Sequence, residues 1–486
     1  MRFSKINVKI HVLVLPLFIL LAIPMIANAL PAFPGAMGWG SVTIGGRYAG
    51  VKLYKVNTLA DGSSGSCSGN ICTGTLRYAL TASGPRIVIF TVGGTITLQS
   101  SIWGVPPYLT VAGQTAPGGG ILIRGPGNPE GVGPSISLEG THDIIIRGLR
   151  IRDYGDSAIN VIGSSSSNPS YNVIIDHNSL SWSLDGVLGT GVAAHDTTYS
   201  WNILSEGTPP YPDLMLISST QGCDRYTYNV SVHHNLFAHT GDMDRAPLIK
   251  HDTNATEVIN NLIYNWNWMA TWTMAPAYIA KNHYIKGANT QGGSTVCNAV
   301  RVGNEGECPQ LPTASVMVSH NTGPCRPSDT GDDWLIVSGG SSSYRTNTPY
   351  FTLSGITEDD VSNVKTLVLA GAGATAPSRD SVDIRIVNDV NNGTGGFINH
   401  PNDVGGWPTI ASGTYPTDTD GDGIPNTWET ARGLNPNDPS DWNKDRDGDG
   451  YLNIEEYINS FFPAIVSSLP PPFALTPNPP SIIGIN

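Results

Sequence analysis

Several features that would define other classes of protein are missing from this chain of 486 residues. Beyond its N-terminal segment no apolar run approaches the roughly 18 residues of a membrane-spanning helix. None of its six cysteines shows the CxxC spacing of zinc sites. It has no basic run, and its formal net charge is −13, so nucleic acid and anionic membranes are not expected as partners. Excess carboxylates in such a chain instead suggest calcium.

The N-terminal segment is predicted to be a secretory signal peptide. Basic residues precede a mostly apolar run, 12–26, and the small-residue pattern Ala-Asn-Ala ends at Ala29. A membrane anchor is the alternative, but the run is short and contains two prolines. We therefore expect residues 1–29 to be removed, and the mature protein to be secreted and free of the membrane.

The six cysteines fit an oxidising destination. An even number allows three bridges, with about 15 connectivities that the sequence does not separate. The closest pairs, Cys67 with Cys72 and Cys297 with Cys308, are the simplest hypotheses.

Between about residues 86 and 322, short β-branched segments such as YNVIIDHNSLSW and NVSVHHNLF recur, separated by Gly, Asn or Asp. Their interval of roughly 20 to 40 residues is typical of solenoid repeats. Several carry an asparagine at the matching place, namely Asn178, Asn202, Asn235, Asn261 and Asn321. Stacked on successive coils, these amides could form a ladder. The pattern predicts an all-β, right-handed parallel β-helix; a β-sandwich would explain the strands but not the recurrent asparagine. Beyond about residue 330 the pattern loosens into loop-rich sequence.

Near the C-terminus, DTDGDGIPNTWE (418–429) and DRDGDGYLNIEE (445–456) each match the twelve-residue EF-hand calcium loop. The predicted ligands are Asp418, Asp420, Asp422, the Ile424 carbonyl, Asn426 through water and Glu429 in the first loop, and Asp445, Asp447, Asp449, the Tyr451 carbonyl, Asn453 through water and Glu456 in the second. A solvated acidic loop is the alternative for one match, but two full matches favour calcium. Short helices are expected to follow each loop, and residues 461–486 form a proline-rich tail.

The segments AFPGAMGWG, GTLRYAL, LTVAGQTAPGGGI, IIDHNSLSWSLDG and VHHNLFAHTGDMDRAP together resemble the pectate lyases of polysaccharide lyase family 1. The resemblance runs from about residue 32 to 410, so we assign a lyase domain to 30–415 and an EF-hand-like calcium segment to 416–460. It implies a parallel β-helix and calcium-assisted β-elimination of polygalacturonate. That reaction removes the weakly acidic C5 proton beside a carboxylate, and a calcium ion on that carboxylate stabilises the resulting charge.

The resemblance also implies the roles of particular residues. Asp156 and Asp185 match calcium ligands, Arg245 matches the catalytic base, and Lys250 matches a residue that binds a substrate carboxylate. Free guanidinium is protonated below a pH of about 12, so activity is expected to favour alkaline pH. The chain departs from the family pattern at Gly189, where a further carboxylate is common, and in 204–219, which has no basic residue.

His177 could serve as an acid or base, but a turn histidine bonded within the ladder is favoured. Asp176 is interpreted as structural.

Three alternatives to a pectate lyase stay open. A pectin lyase would not need Asp156 and Asp185 as a calcium site. A polygalacturonase-like hydrolase needs a clustered carboxylate pair, which the matching coils do not supply. A non-catalytic β-helical carbohydrate-binding protein is compatible with Gly189. The expected partner is an acidic plant cell-wall polysaccharide, and the expected state is a monomer.

Overall fold

The computed structural model describes residues 29–127, 133–153, 155–217, 227–241, 245–291, 299–303, 311–340 and 342–462. The predicted signal peptide, Cys223, Cys297, Cys308 and most of the proline-rich tail lie outside these residues. Three long sheets dominate the described part of the chain. No helix there is both long and apolar enough to span a bilayer.

Sheet 1 is the longest of the three. Its strands are β1 (Lys52–Val56), β2 (Gly65–Ser68), β3 (Ile71–Gly74), β4 (Arg86–Phe90), β6 (Leu109–Ala112), β9 (His142–Arg147), β12 (Tyr171–Asp176), β15 (His195–Ser200), β18 (Thr227–His233), β21 (Thr253–Ile259), β24 (Ala277–Ala280) and β27 (Val316–Ser319). They lie in the order β2-β3-β1-β4-β6-β9 and onward in chain order. Only the β2–β3 hairpin is antiparallel, and its Cys67 and Cys72 form a disulfide, which confirms that pairing. Cys325 is also disulfide-bonded.

Sheets 2 and 3 run beside sheet 1. Sheet 2 contains β5 (Gly94–Thr97), β7 (Ile121–Arg124), β10 (Arg150–Arg152), β13 (Ser179–Ser181), β16 (Ile203–Ser205), β19 (Leu236–Thr240), β22 (Leu262–Trp266) and β25 (His283–Ile285). Sheet 3 contains β8 (Ile136–Glu139), β11 (Ile159–Ile162), β14 (Leu188–Gly191), β17 (Met215–Ile217), β20 (Leu248–Ile249), β23 (Thr271–Thr273), β26 (Val300–Val302) and β28 (Val337–Ser338). From β9 to β26 the chain visits sheets 1, 2 and 3 in turn, so one strand in each makes one coil. This is the predicted parallel β-helix.

The bends between sheets 1 and 2 explain the recurrent asparagines. The residue before each ladder asparagine has a left-handed backbone, as at His177 (φ 53°), Trp201 (φ 53°) and His234 (φ 56°). Such a conformation costs a non-glycine residue about 1–2 kcal/mol, and it interrupts the strand hydrogen bonds. The asparagine side chains replace those bonds.

Asn235 illustrates the ladder. Its Nδ2 donates to the carbonyl oxygens of Tyr199 (2.8 Å) and His233 (3.0 Å) and to Asn261 Oδ1 (3.0 Å). Its Oδ1 accepts from the backbone N–H of Asn202 at 2.9 Å. The same pattern joins Asn178, Asn202, Asn235, Asn261, Asn282 and Asn321. The five predicted positions are confirmed, and Asn282 is an additional one.

Replacing Asn235 with alanine is expected to destabilise the fold, because it leaves buried groups on two neighbouring coils unpaired. Each such group costs about 1–3 kcal/mol, and the free energy of unfolding measured in urea reports the sum. Asn254→Ala is the matched control, since Asn254 is exposed on β21. Equal stability of the two variants would contradict a structural role for the ladder.

Five α-helices and five 3₁₀ helices lie in the described residues. The α-helices are α1 (Leu76–Thr81), α2 (Val361–Gly371), α3 (Ser381–Asn392), α4 (Asn426–Arg432) and α5 (Asn453–Asn459), and the 3₁₀ helices are Trp39–Val42, Gly113–Thr115, Asp333–Ile336, Ser342–Tyr344 and Pro401–Val404. The expected short helices after the two acidic loops are confirmed as α4 and α5. The prediction of loop-rich sequence from about residue 330 to the GGWPT segment was wrong where α2 and α3 lie.

Helix α3 forms because its apolar residues recur at helical spacing. Val382, Ile386 and Val390 are buried against sheet 2, Asp380 caps the first turn by accepting from the Asp383 N–H, and Gly393 ends the helix with φ 69°. These contacts override the modest helix propensity of its β-branched residues.

The core fills the interior of the coils, with residues such as Val88, Ile146 and Val232 fully buried. A separate apolar cluster fixes the C-terminal segment to the outer face of sheet 1. There Ile424, Trp442 and Ile454 pack on Leu53 and Ile89. Residues 416–462 are therefore attached to the β-helix over a continuous apolar surface.

Candidate active site

Four charged residues occupy equivalent places on consecutive coils, just before the strands of sheet 3. Asp156 precedes β11, Asp185 precedes β14, Asp213 precedes β17 and Arg245 precedes β20. The Asp185 N–H donates to the Asp156 carbonyl oxygen at 2.9 Å, and the Met215 N–H donates to the Arg245 carbonyl oxygen at 2.8 Å. Parallel pairing thus lines the four residues up along one edge of sheet 3.

Arg245 lies between two carboxylates. Its Nε is 3.1 Å from Asp213 Oδ2, and its Nη1 donates to Asp185 Oδ1 at 3.4 Å. The Asp213 side chain is only 2% exposed, whereas that of Asp185 is 41% exposed. The guanidinium is therefore anchored at its buried end and presented to solvent at the other.

Asp213 was not among the predicted site residues. The sequence prediction for 204–219 concerned only its lack of a basic residue and did not include this aspartate. The register of β17 with β20, in which Leu216 pairs with Leu248, sets Asp213 beside Arg245. The sequence position of Asp213 points to Arg245 only when this register is known.

The two predicted calcium ligands of the lyase domain, Asp156 and Asp185, are brought together on adjacent coils. Asp156 is buried, whereas the Asp185 side chain is 41% exposed, so one of the two carboxylates is open to solvent. Burial, with Asp156 adding its charge, raises the pKa of nearby Asp153 to about 7. Such an electronegative, partly open site suits calcium, which takes oxygen ligands from protein, water and substrate.

Gly189, where the family pattern has a carboxylate, lies within β14 beside Asn160. A Cβ added at Gly189 would approach Asn160 Oδ1 to 2.5 Å. A longer side chain at this position would require Asn160 to move. Position 189 therefore supplies no side-chain ligand to calcium.

Lys250 follows β20, whereas Arg245 precedes it. The strand between them, β20, has only two residues, Leu248 and Ile249, and both are buried. Lys250 is half-buried, and its N–H donates to the Ile217 carbonyl oxygen at 2.9 Å. Its role in substrate binding stays a prediction.

His177 and Asp176 form structural contacts. Asp176 accepts from Arg147 Nε at 2.8 Å and from Ser200 Oγ at 2.7 Å. His177 lies 2.7 Å from Asp176 Oδ2 and stacks on Phe462. These contacts agree with the structural interpretation of both residues.

The first acidic loop gathers carboxylates into two overlapping groups. Ligand oxygens of Asp418, Asp420 and Asp422 lie within 4.8 Å of one another, as do those of Asp422, Glu429 and Asp441. Burial, followed by the neighbouring carboxylates, raises the pKa of Asp422 to about 8 and that of Glu429 to about 7. The loop fits a cation of two positive charges.

The second acidic loop is more open. Asp445, Asp447 and Asp449 form a group of the same size, but all three are exposed. Burial, with Asp447 and Asp449 adding their charges, raises the pKa of Glu456.

Four other predicted ligands of the two loops make protein contacts. The Asn426 amide bonds with Thr419, Asn453 Nδ2 donates to the Asp441 carbonyl oxygen, Tyr451 Oη donates to the Pro31 carbonyl oxygen, and Ile424 is buried in the cluster on sheet 1. For Ile424 and Tyr451 the predicted ligand is the backbone carbonyl, which these side-chain contacts leave open.

The chain is similar to curated fungal proteins over nearly its whole length. It is 31% identical over 447 residues to "Probable pectate lyase C" of Aspergillus flavus, covering 90% of this chain and 95% of that protein. It is 31% identical over 466 residues to the protein of the same name from Aspergillus terreus, covering 92% and 98%. Among solved structures, jun a 1, the major allergen from cedar pollen, is 18% identical with a TM-score of 0.49 and covers 70% of this chain and 92% of that one. No protein-family model matches the chain.

Proposed function

The chain belongs to the pectate lyase family, a family of polysaccharide lyases, and we propose that it cleaves polygalacturonate by calcium-assisted β-elimination with Arg245 as the base. The observation that carries the mechanism is the position of Arg245 between buried Asp213 and exposed Asp185. Secretion fits the Cys67–Cys72 disulfide, which is typical of oxidising compartments.

Asp156 and Asp185 would hold the calcium ion on the solvent side of sheet 3. When bound, calcium draws charge from the substrate carboxylate, which acidifies the adjacent C5–H bond. Because the substrate and this chain are both acidic, a cation also lowers the repulsion between them. Lys250 would contact a further carboxylate of the polymer.

Arg245 would take the C5 proton, the C5–H electron pair would form the C4–C5 double bond as the C4–O bond breaks, and the departing sugar oxygen would take a proton from water. Two carboxylates contact the Arg245 guanidinium, and one of them, Asp185, is also a predicted calcium ligand. If Asp185 binds calcium, it would no longer pair with Arg245. Arg245 would then keep its contact with Asp213, and its Nη1 would be free to approach the sugar. Asp213 would keep the guanidinium oriented, since it holds the Nε that does not face the solvent.

The activity test is incubation of the full chain with polygalacturonate while the ultraviolet absorbance of the new C4–C5 double bond is recorded. We expect absorbance growth that EGTA abolishes and that is faster at alkaline pH. New reducing ends without absorbance would indicate a hydrolase, activity on methylated pectin without calcium a pectin lyase, and no product a binding protein. Each of these outcomes would overturn the proposal.

Chelation will also act on the C-terminal loops, so a control is needed. Deleting residues from 416 onward is unsuitable, because it would expose Leu53 and Ile89 of sheet 1. Full-length Asp185→Asn is the better control. It should lose activity in excess calcium while keeping its far-ultraviolet circular dichroism spectrum.

A further inference from the structure

Buried carboxylate oxygens without partners concentrate beneath helix α4. Both carboxylate oxygens of Glu429, Oδ2 of Asp422 and Oδ1 of Asp441 are buried with no hydrogen-bond partner in the described part of the chain. Glu429 and Asp422 are 0% exposed. Buried carboxylates without partners are unfavourable unless they are protonated or bind a cation, so three together point to a cation site.

No basic side chain among the described residues supplies that charge. Lys55 pairs with Asp418 at 3.7 Å and donates to the Gly421 carbonyl oxygen at 2.6 Å. It therefore holds the outer side of the loop and leaves the inner oxygens of Asp422, Glu429 and Asp441 unneutralised.

The spacing of these oxygens fits calcium. Calcium binds oxygen at about 2.3–2.6 Å, so ligands on opposite sides of the ion are roughly 4.6–5.2 Å apart. The oxygens of Asp422, Glu429 and Asp441 all lie within 4.8 Å of one another. Asp420 also lines a surface cavity of about 580 Å³.

Asp441 distinguishes this site from a self-contained loop. It belongs to the segment between α4 and the second acidic loop, outside the twelve residues 418–429. Its carbonyl oxygen accepts from Asn453 Nδ2 at 2.8 Å, at the start of α5. An ion held jointly by the first loop and Asp441 would tie α4 to α5.

Both helices are anchored on sheet 1. Ile424 and Ile454 pack on Leu53 and Ile89, and Gln114 Nε2 donates to the Ile458 carbonyl oxygen at 3.1 Å. The contact at Gly423 is close, since a Cβ there would lie 2.7 Å from Ile89. The shape of the acidic loop therefore determines how the whole segment sits on the β-helix.

We infer that Asp418, Asp420, Asp422 and Glu429 form a calcium site completed by Asp441, and that filling it locks residues 416–462 onto sheet 1. The chain then needs calcium for stability at a place remote in sequence from Asp185. The inference does not depend on the proposed cleavage. The exposed second loop is expected to bind its ion more weakly.

The test compares full-length Asp441→Asn with Asp438→Asn. Asp438 lies in the same segment, is 39% exposed, and belongs to neither carboxylate group, so both variants lose one negative charge. Melting temperatures are measured in excess calcium chloride and in excess EGTA, and calcium affinity is measured by titration calorimetry. For the wild type and Asp438→Asn we expect calcium to raise the melting temperature by roughly 5–10 °C.

For Asp441→Asn we expect at least a tenfold loss of affinity at the tighter site and loss of most of that rise. In EGTA the variant should melt no lower than the wild type, because an amide replaces a buried charge whose Oδ1 has no partner. Asp185→Asn should keep the full rise. A normal calcium response in Asp441→Asn, a lower melting temperature in EGTA, or loss of the rise in Asp185→Asn would each overturn the inference.

Discussion

Arg245→Lys is expected to lower kcat on polygalacturonate by about 10²–10⁴-fold, the usual contribution of a positioned general base. Lysine keeps the positive charge but not the planar fork that reaches Asp213 and Asp185 at once. Its ammonium would pair with one of the two carboxylates and would no longer be directed at C5. Because substrate binding rests on other groups, KM should change much less than kcat.

Initial rates from product absorbance in excess calcium provide the measurement. Arg345→Lys is the control, since Arg345 pairs with exposed Asp332 at 2.6 Å and belongs to no proposed site. Full activity in Arg245→Lys would remove the proposed base and would direct attention to Lys250. A melting temperature of Arg245→Lys far below that of the wild type would instead show that the activity was lost with the structure.

Arg152→Met is expected to lower the free energy of unfolding by about 3–5 kcal/mol, as when one partner of a buried ion pair is removed. The Arg152 side chain is 0% exposed. It lies 2.8 Å from Asp383 and 3.1 Å from Asp380. Without it, the two buried carboxylates at the start of α3 would lose their closest cation, since the Nε of Arg150 is 3.9 Å from Asp380.

Urea unfolding measures this loss. Arg345→Met is the control, because an exposed pair contributes only about 0–1 kcal/mol. Adding Asp383→Asn to Arg152→Met should recover part of the stability by removing one unpaired charge. If Arg152→Met is as stable as the control, water or Arg150 must compensate for the lost charge. The ion pairs of Arg152 with Asp380 and Asp383 would then not be needed to hold α3 on sheet 2.

The ladder could be predicted from the sequence because its cause is local and repeated. Asn178, Asn202 and Asn235 each follow a β-branched strand and a turn residue. Asn282 lies in the sequence AKNHYIKG, where lysine takes the left-handed turn position, and it was not recognised. The physical rule was the same, but the turn residue gave no cue.

Helix α3 and Asp441 could not be predicted in the same way. The sequence of α3, rich in valine and isoleucine, has weak local preference, and its helical form depends on contact with sheet 2. Asp441 lies outside the spacing template of the calcium loop. It reaches Asp422 and Glu429 only through the tertiary fold of the segment.

The order of strands in the three sheets allows the number of coils to change without changing the proposed active site. Each parallel strand is bonded only to the strands one coil before and one coil after it. Asp156, Asp185, Asp213 and Arg245 occupy four consecutive coils, and β24 to β27 lie beyond them. Evolution or engineering could therefore add or remove a whole turn at that distal end, altering how much polymer the surface spans while the catalytic geometry stays as it is.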